Sequence, residues 1–101
     1  MRESTVENHL VAKVRTLGGI AYKFTSPGRR NVEDRLVMLP TAMLYFIECK
    51  APGKRPRPGQ KREHDRHRAM GFNVLVLDTK EKVDRWALAT ARELYSRGAY
   101  K

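Results

Sequence analysis

Only one cysteine occurs in the 101 residues, Cys49, so no internal disulfide can form. A lone thiol fits a reducing, intracellular setting. No apolar run approaches the roughly 20 residues of a membrane span, and the start, MRESTVENHL, lacks the apolar stretch of an export signal. A cytoplasmic protein is expected. Aromatics are sparse at 8%, and none are interleaved with the basic segments, which argues against a platform for stacking unpaired bases. Acids are the other scarcity. Eleven Asp and Glu stand against 21 Lys and Arg, giving a net charge of +10 and a pI near 10.3. Such an excess calls for a polyanionic partner, of which nucleic acid is the commonest. An anionic membrane surface would need a basic helix with a broad apolar face, and the most basic segment has almost no apolar residues. Nucleic acid is favoured.

What is present suffices for one folded domain. The hydrophobic fraction is 41%, and the length lies near the lower end of what builds its own core. Val6, Leu10, Val14 and Leu17 recur at helical spacing from Ser4 onward and stop at Gly18-Gly19. IAYKFT alternates as a strand does, and SPGRRN is a loop on Pro and Gly grounds. EDRLVML and AMLYFIECK read as two further strands, and the short PT connection between them predicts an antiparallel hairpin. Three prolines and two glycines keep APGKRPRPG irregular. A helix with Pro58 in its first turn is expected to run to about Met70, followed by FNVLVLD, a nearly continuous apolar strand covered on both faces. Asp78 or Thr79 can cap a last helix whose stripe is Val83, Trp86, Ala87, Ala91 and Leu94, closed by Gly98. The predicted order is α-β-β-β-α-β-α, a three-layer α-β-α arrangement around a mixed sheet.

The third strand poses a problem. LYFIECK is mostly apolar, yet it carries Glu48 and Lys50, which alternation places on the same face as Leu44 and Phe46. A buried strand avoids charges unless they are paired or bind something. The hairpin would bring Asp34, at the start of the preceding strand, towards them. Two carboxylates at one end of a sheet suit a hard divalent cation such as Mg²⁺, which keeps several waters and accepts phosphate oxygens. A lysine beside them can stabilise charge on a phosphate or hold an attacking water. That set fits metal-assisted phosphodiester hydrolysis. The competing reading is a cross-strand salt bridge at a sheet edge.

With these residues in place the sequence resembles the PD-(D/E)XK nucleases, most closely the VRR-NUC (virus-type replication-repair nuclease) branch. Glu7, the run SPGRRNVEDRLVML with Asp34, FIECKAPG with Glu48 and Lys50, Gln60 opening the next helix, and GFNVLVL follow in family order across almost the whole chain. The resemblance implies a restriction-endonuclease-like core. It also implies Asp34, Glu48 and the Cys49 backbone carbonyl as ligands of Mg²⁺ (replaceable by Mn²⁺), Lys50 as the catalytic lysine, and Glu7 and Gln60 completing the site. Glu33 stands where the family usually has proline, and alternation is expected to turn it away from the Asp34 face.

Alternative roles exist for several of these residues. Ser4-x-x-Glu7 is also a capping box, in which Glu7 would bond the helix start and not be a metal ligand. Gln60 could be a solvated first-turn residue. Cys49 faces away from Glu48 and Lys50 and is expected to be buried and inert. His9, His64 and His67 lack the spacing of a zinc site. His64 and His67 share the Gln60 face of their helix, where they can approach the site or the DNA; partly buried packing is the favoured role. Two basic segments, Arg29 and Arg30, then Lys54, Arg55, Arg57, Lys61 and Arg62, bracket the candidate site and are expected to touch duplex backbone phosphates.

The reading that unites these features is a metal-dependent, structure-selective DNA endonuclease acting on branched DNA such as four-way (Holliday) junctions. The resemblance implies 5′-phosphate and 3′-hydroxyl products and suggests a phage origin, hence a bacterial host cytoplasm. The alternative is a non-catalytic DNA-binding module on a degenerate nuclease fold, and an RNA-binding protein rests on charge alone. A homodimer is expected, because resolving a four-way junction needs two nicks related by two-fold symmetry. Its contact would be the final helix or an unpaired strand edge.

Overall fold

A computed structural model describes residues 1–101 in full. Seven elements follow the predicted order: α1 (Glu3–Thr16), β1 (Ile20–Lys23), β2 (Arg35–Leu39), β3 (Met43–Cys49), α2 (Pro58–Ala69), β4 (Asn73–Leu77) and α3 (Lys80–Ser96). The strands form one mixed sheet in the order β1-β2-β3-β4, antiparallel except for the parallel pair β3–β4. That parallel pair requires a crossover, and α2 supplies it. No helix is long and apolar enough to cross a membrane.

Alternation along the strands sorts the two faces. Val37, Leu39, Ile47, Cys49 and Leu77 point into an apolar core shared with Val6, Leu10 and Val14 of α1, Leu17 just after it, and Val83, Ala87 and Leu94 of α3. The α1 stripe is the one read from sequence. Thr90 joins the buried α3 stripe, while Trp86 and Ala91 pack at its margin, Trp86 edge-on to Tyr45 at 5.4 Å. Thr79 caps α3 by accepting from the Lys82 N–H at 3.0 Å.

The opposite face meets α2, and its packing is unlike the first. The α2 sequence, PGQKREHDRHRA, has no large apolar residue, and the side chains it buries are Gln60, Glu63 and His64. A helix polar all round holds its place through side-chain bonding. Lys61–Asp65, Arg66–Glu63 and Arg68–Asp65 ion pairs run along it at 2.8, 3.1 and 3.1 Å. Beneath it, Phe46 stacks obliquely with Phe24 and His67 and edge-on with Phe72, at 5.5–5.8 Å.

β2 and β3 are joined by Pro40, Thr41 and Ala42, a tight hairpin as the PT connection predicted. Thr41 and Ala42 both have positive φ, 63° and 61°, which matches the right-handed twist of the flanking strands.

Candidate functional site

The β2–β3 ladder ends at Arg35↔Ile47. One step further along this antiparallel register Asp34 lies opposite Glu48, and Glu33 would lie opposite Cys49. The chain departs from the ladder there, so the Cys49 N–H loses its backbone partner. The Asp34 carboxylate replaces it, accepting from Cys49 N at 3.3 Å through Oδ1. Local breaking of the sheet is thus what turns Asp34 into the end of the hairpin.

Two acids now face each other, an arrangement that destabilises a sheet when nothing compensates it. Burial, followed by the charge of Glu48, pushes the Asp34 carboxyl up to about 7; the Cys49 N–H only partly offsets this. Glu48 is itself buried, and its Oε1 has no hydrogen-bond partner. Lys50 Nζ approaches Glu48 Oε2 at a long 3.6 Å but donates to Gln60 Oε1 at 2.9 Å. β3 is an interior strand, so this is not the sheet-edge salt bridge considered as the alternative. Gln60 is buried, not solvated, and its Oε1 also accepts from the Arg57 N–H at 2.9 Å. That shared oxygen joins the start of α2 to the end of β3.

Glu7 sits beside this group in a different state. The helix begins at Glu3 with Arg2 before it and no side-chain cap, so the capping box does not form. Instead Glu7 Oε2 accepts from Lys23 Nζ at 3.0 Å and from Arg35 Nε at 2.7 Å. Burial, the largest single influence, raises the Glu7 carboxyl. The hydrogen bonds and charges of Lys23 and Arg35 together outweigh it and hold the group below the usual carboxylate range. Lys23 and Arg35 were not singled out in the sequence; their signal was cationic residues on two adjacent antiparallel strands.

Cys49 is fully buried in the core, and burial together with the nearby acids raises its thiol, so it is no nucleophile. His9 is remote from the group, bonded to Asp84 at 2.7 Å between α1 and α3.

Glu33 corrects an expectation. Alternation was to turn it off the Asp34 face, yet it is fully buried beneath α2, with both oxygens 2.9 Å from His67 Nδ1. The strand starts only at Arg35, so alternation does not reach residue 33. His64, expected as partly buried packing, is 1% exposed, with Nε2 3.8 Å from Glu33 Oε2 and 3.7 Å from Glu48 Oε1.

The basic residues divide between two clefts. The loop before Asp34 and the first turns of α2 border an open cleft of about 320 Å³, whose lining has no hydrophobic residue and includes Arg29, Arg30, Arg62, Arg66, Asn31 and Glu63. Here Arg29 is committed to Glu63 through two bonds, 2.6 and 3.1 Å, which hold Glu63 below its ordinary range. Asn31, at φ 66°, lies so close to the helix that a Cβ on Gly59 would meet its amide nitrogen at 2.7 Å. Lys54 and Arg55 line a second cleft with Asp78 and Lys82, whose wall is fixed by the Gly53 N–H donating to Asp78 at 3.1 Å. Lys61 pairs with Asp65, whereas Arg30, Lys54, Arg55, Arg57 and Arg62 pair with no acid. Arg66 and Lys82 were missed; Arg66 follows Arg62 by four residues, on one helix face.

No protein-family model matches the chain. A protein named as a nuclease, p44 of Acyrthosiphon pisum secondary endosymbiont phage 1, is 58% identical over 81 residues, 80% of this chain and 87% of its own. A solved VRR_NUC domain superposes with a TM-score of 0.78 at 36% identity, covering 82% of this chain and 90% of that one. The chain belongs to the VRR-NUC nuclease family. For a VRR-NUC chain the fold agrees with the reading from sequence throughout: three helices, a four-stranded mixed sheet and the order α-β-β-β-α-β-α.

Whether these residues suit a divalent cation can be judged from their chemistry. No three His, Cys, Asp or Glu side chains converge as a ready-made metal cage. The side-chain donors the candidate site offers are Asp34 and Glu48. Asp34 forms no ion pair, and Glu48 Oε2 is approached only by Lys50 at a long 3.6 Å. Mg²⁺ is commonly held by one or two carboxylates plus water and phosphate, so the group fits it.

Proposed function

We propose that this VRR-NUC protein is a Mg²⁺- or Mn²⁺-dependent DNA endonuclease that cleaves branched DNA, four-way junctions included, as a homodimer. The observation that carries the reading is half-buried Asp34 opposite buried Glu48, with Lys50 held beside them by Gln60. A degenerate, non-catalytic relative would have no need to keep two mutually destabilising acids there.

In this reading Asp34, Glu48 and the Cys49 carbonyl hold the ion. When bound, it supplies Lewis acidity to the phosphate and eases deprotonation of the attacking water. Gln60 fixes the Lys50 ammonium where it can steady charge on the phosphate or orient that water. Glu7, engaged by Lys23 and Arg35, acts on Asp34 by its negative charge, and so favours a cation at the carboxylate pair.

The two basic clefts support duplex backbone as the partner. Arg30, Arg62 and Arg66 line one and Lys54 and Arg55 the other, with Arg57 exposed at the start of α2 between the two runs. Arg29 and Lys61 serve mainly as partners of Glu63 and Asp65.

Pairing of two subunits is supported by exposed apolar side chains. Leu88 and Tyr95 stand out on α3; Ile20, Tyr22 and Met38 do so on β1 and β2, where β1 is also an unpaired edge. The β1 side is the better contact, because its three exposed apolar residues adjoin an unpaired strand edge. Incubation of labelled duplex, flap and four-way-junction DNA with the protein and Mg²⁺ tests the function, and junction cleavage is the expected result.

A further inference from the structure

Beneath α2 lies a chain of buried polar groups that the proposed chemistry does not use. Glu33 is fully buried, and a carboxylate can only accept, so the 2.9 Å contacts to His67 Nδ1 place the hydrogen on that nitrogen. His64 comes next along the helix. Its Nε2 has no hydrogen-bond partner, and neither does Glu48 Oε1; the two lie 3.7 Å apart. Glu33 Oε2 is 3.8 Å from the same nitrogen.

Leaving a buried donor or acceptor unmet is costly. Here two such atoms face one another, less than an ångström beyond bonding distance, and one belongs to Glu48. An apolar side chain at position 64 would avoid the cost. An N–H on Nε2 directed at Glu48 Oε1 would satisfy both, and it would fix the carboxylate plane so that Oε2, on the Lys50 side, is left for a ligand. Partners of this kind orient ligating carboxylates in metal sites, and losing them typically weakens metal binding by about 10–100-fold.

We propose that His64 is a positioning residue for Glu48, with Glu33, itself held by His67, near the same imidazole nitrogen. The role needs only an N–H on Nε2. It rests on Glu48 being a metal ligand. Nothing in the short sequence pattern points to it: Glu33 occupies a position where the family usually has proline, and His64 lies sixteen residues beyond Glu48.

The test is Mn²⁺ calorimetry on the DNA-free protein, comparing wild type with His64→Leu and His64→Gln. Leu removes the donor and should weaken Mn²⁺ by about 10–100-fold, while Gln keeps a donor and should recover most of the loss. A role in packing alone predicts that affinity follows neither change. Equal binding by wild type and His64→Leu, or equal weakening by Leu and Gln, overturns the proposal and leaves the metal reading intact. A wild type that takes up no Mn²⁺ overturns the metal reading itself, and this inference with it. Should His64→Leu fail to fold, nitrogen-15 NMR of the wild type decides. Added Mg²⁺ should shift His64 Nε2 and leave His9, bonded to Asp84, unmoved; an unmoved His64 overturns the proposal.

Discussion

Asp34 lies one register step past the last β2–β3 pair, opposite Glu48, and bonds the Cys49 N–H that the departing backbone leaves open. A single local event, the end of a ladder, thereby sets a half-buried acid, Asp34, against a buried one, Glu48, beside Lys50.

If those acids and the lysine serve chemistry, their removal should leave the fold intact. Glu48→Gln and Lys50→Ala are expected to lower cleavage by at least about 100-fold, with circular dichroism and duplex affinity little changed. Asp34→Asn should behave alike and also weaken Mn²⁺ in calorimetry. Retained cleavage in any of the three contradicts the assignment.

The raised Asp34 carboxyl gives a pH signature. Its ordinary value is 3.8 and its folded value about 7. Between these the folded chain keeps a proton that the unfolded chain has lost, so Asp34 stabilises the fold at low pH and that contribution disappears as pH rises through 7. Other acids, Glu7 among them, shift the opposite way, so the informative quantity is a difference. Melting temperatures of metal-free wild type and Asp34→Asn should diverge in favour of the variant from about pH 4 to 7 and then run parallel. A difference independent of pH would show that Asp34 is not raised. Mn²⁺ affinity of the wild type should climb over the same range, because binding expels the proton.

Much of the molecule is legible in its sequence. The α1 stripe, the hairpin and the Thr79 cap follow from local spacing and turn chemistry, which do not depend on distant contacts. Asp34, Glu48, Lys50 and Gln60 are also named by the sequence pattern, and the fold brings them together. Glu33 was misjudged because alternation holds only inside a strand, and the sequence does not mark that β2 begins at Arg35. The full burial of His64 depends on Glu33 and Glu48, which come from other parts of the chain. Glu7 was ambiguous because its partners, Lys23 and Arg35, come from other elements. Merging of Arg29 and Arg30 with Arg62 and Arg66 in one cleft likewise depends on tertiary packing.

The two clefts should differ from ordinary surface charge. Arg55→Ala with Arg57→Ala, or Arg30→Ala with Arg62→Ala, should weaken binding to all duplex sequences alike. Each pair should flatten the salt dependence by about one unit for every phosphate that is no longer neutralised. Arg92→Ala on α3 removes the same type of charge and should leave the slope unchanged. Equal slopes in every variant would reduce these arginines to solvated charge.

Light scattering should give twice the 11.7 kDa chain mass. Tyr22→Lys, which adds charge to the exposed β1 face, should shift the population to monomer and abolish paired nicking of a junction. A monomer at micromolar concentration, with or without junction DNA, defeats the dimer.

The most direct test is the fraction of a labelled four-way junction cut by purified protein in Mg²⁺ compared with EDTA. The carboxylate pair predicts cleavage in Mg²⁺ and none in EDTA. Cleavage that persists in EDTA, or an uncut junction in Mg²⁺, would contradict it.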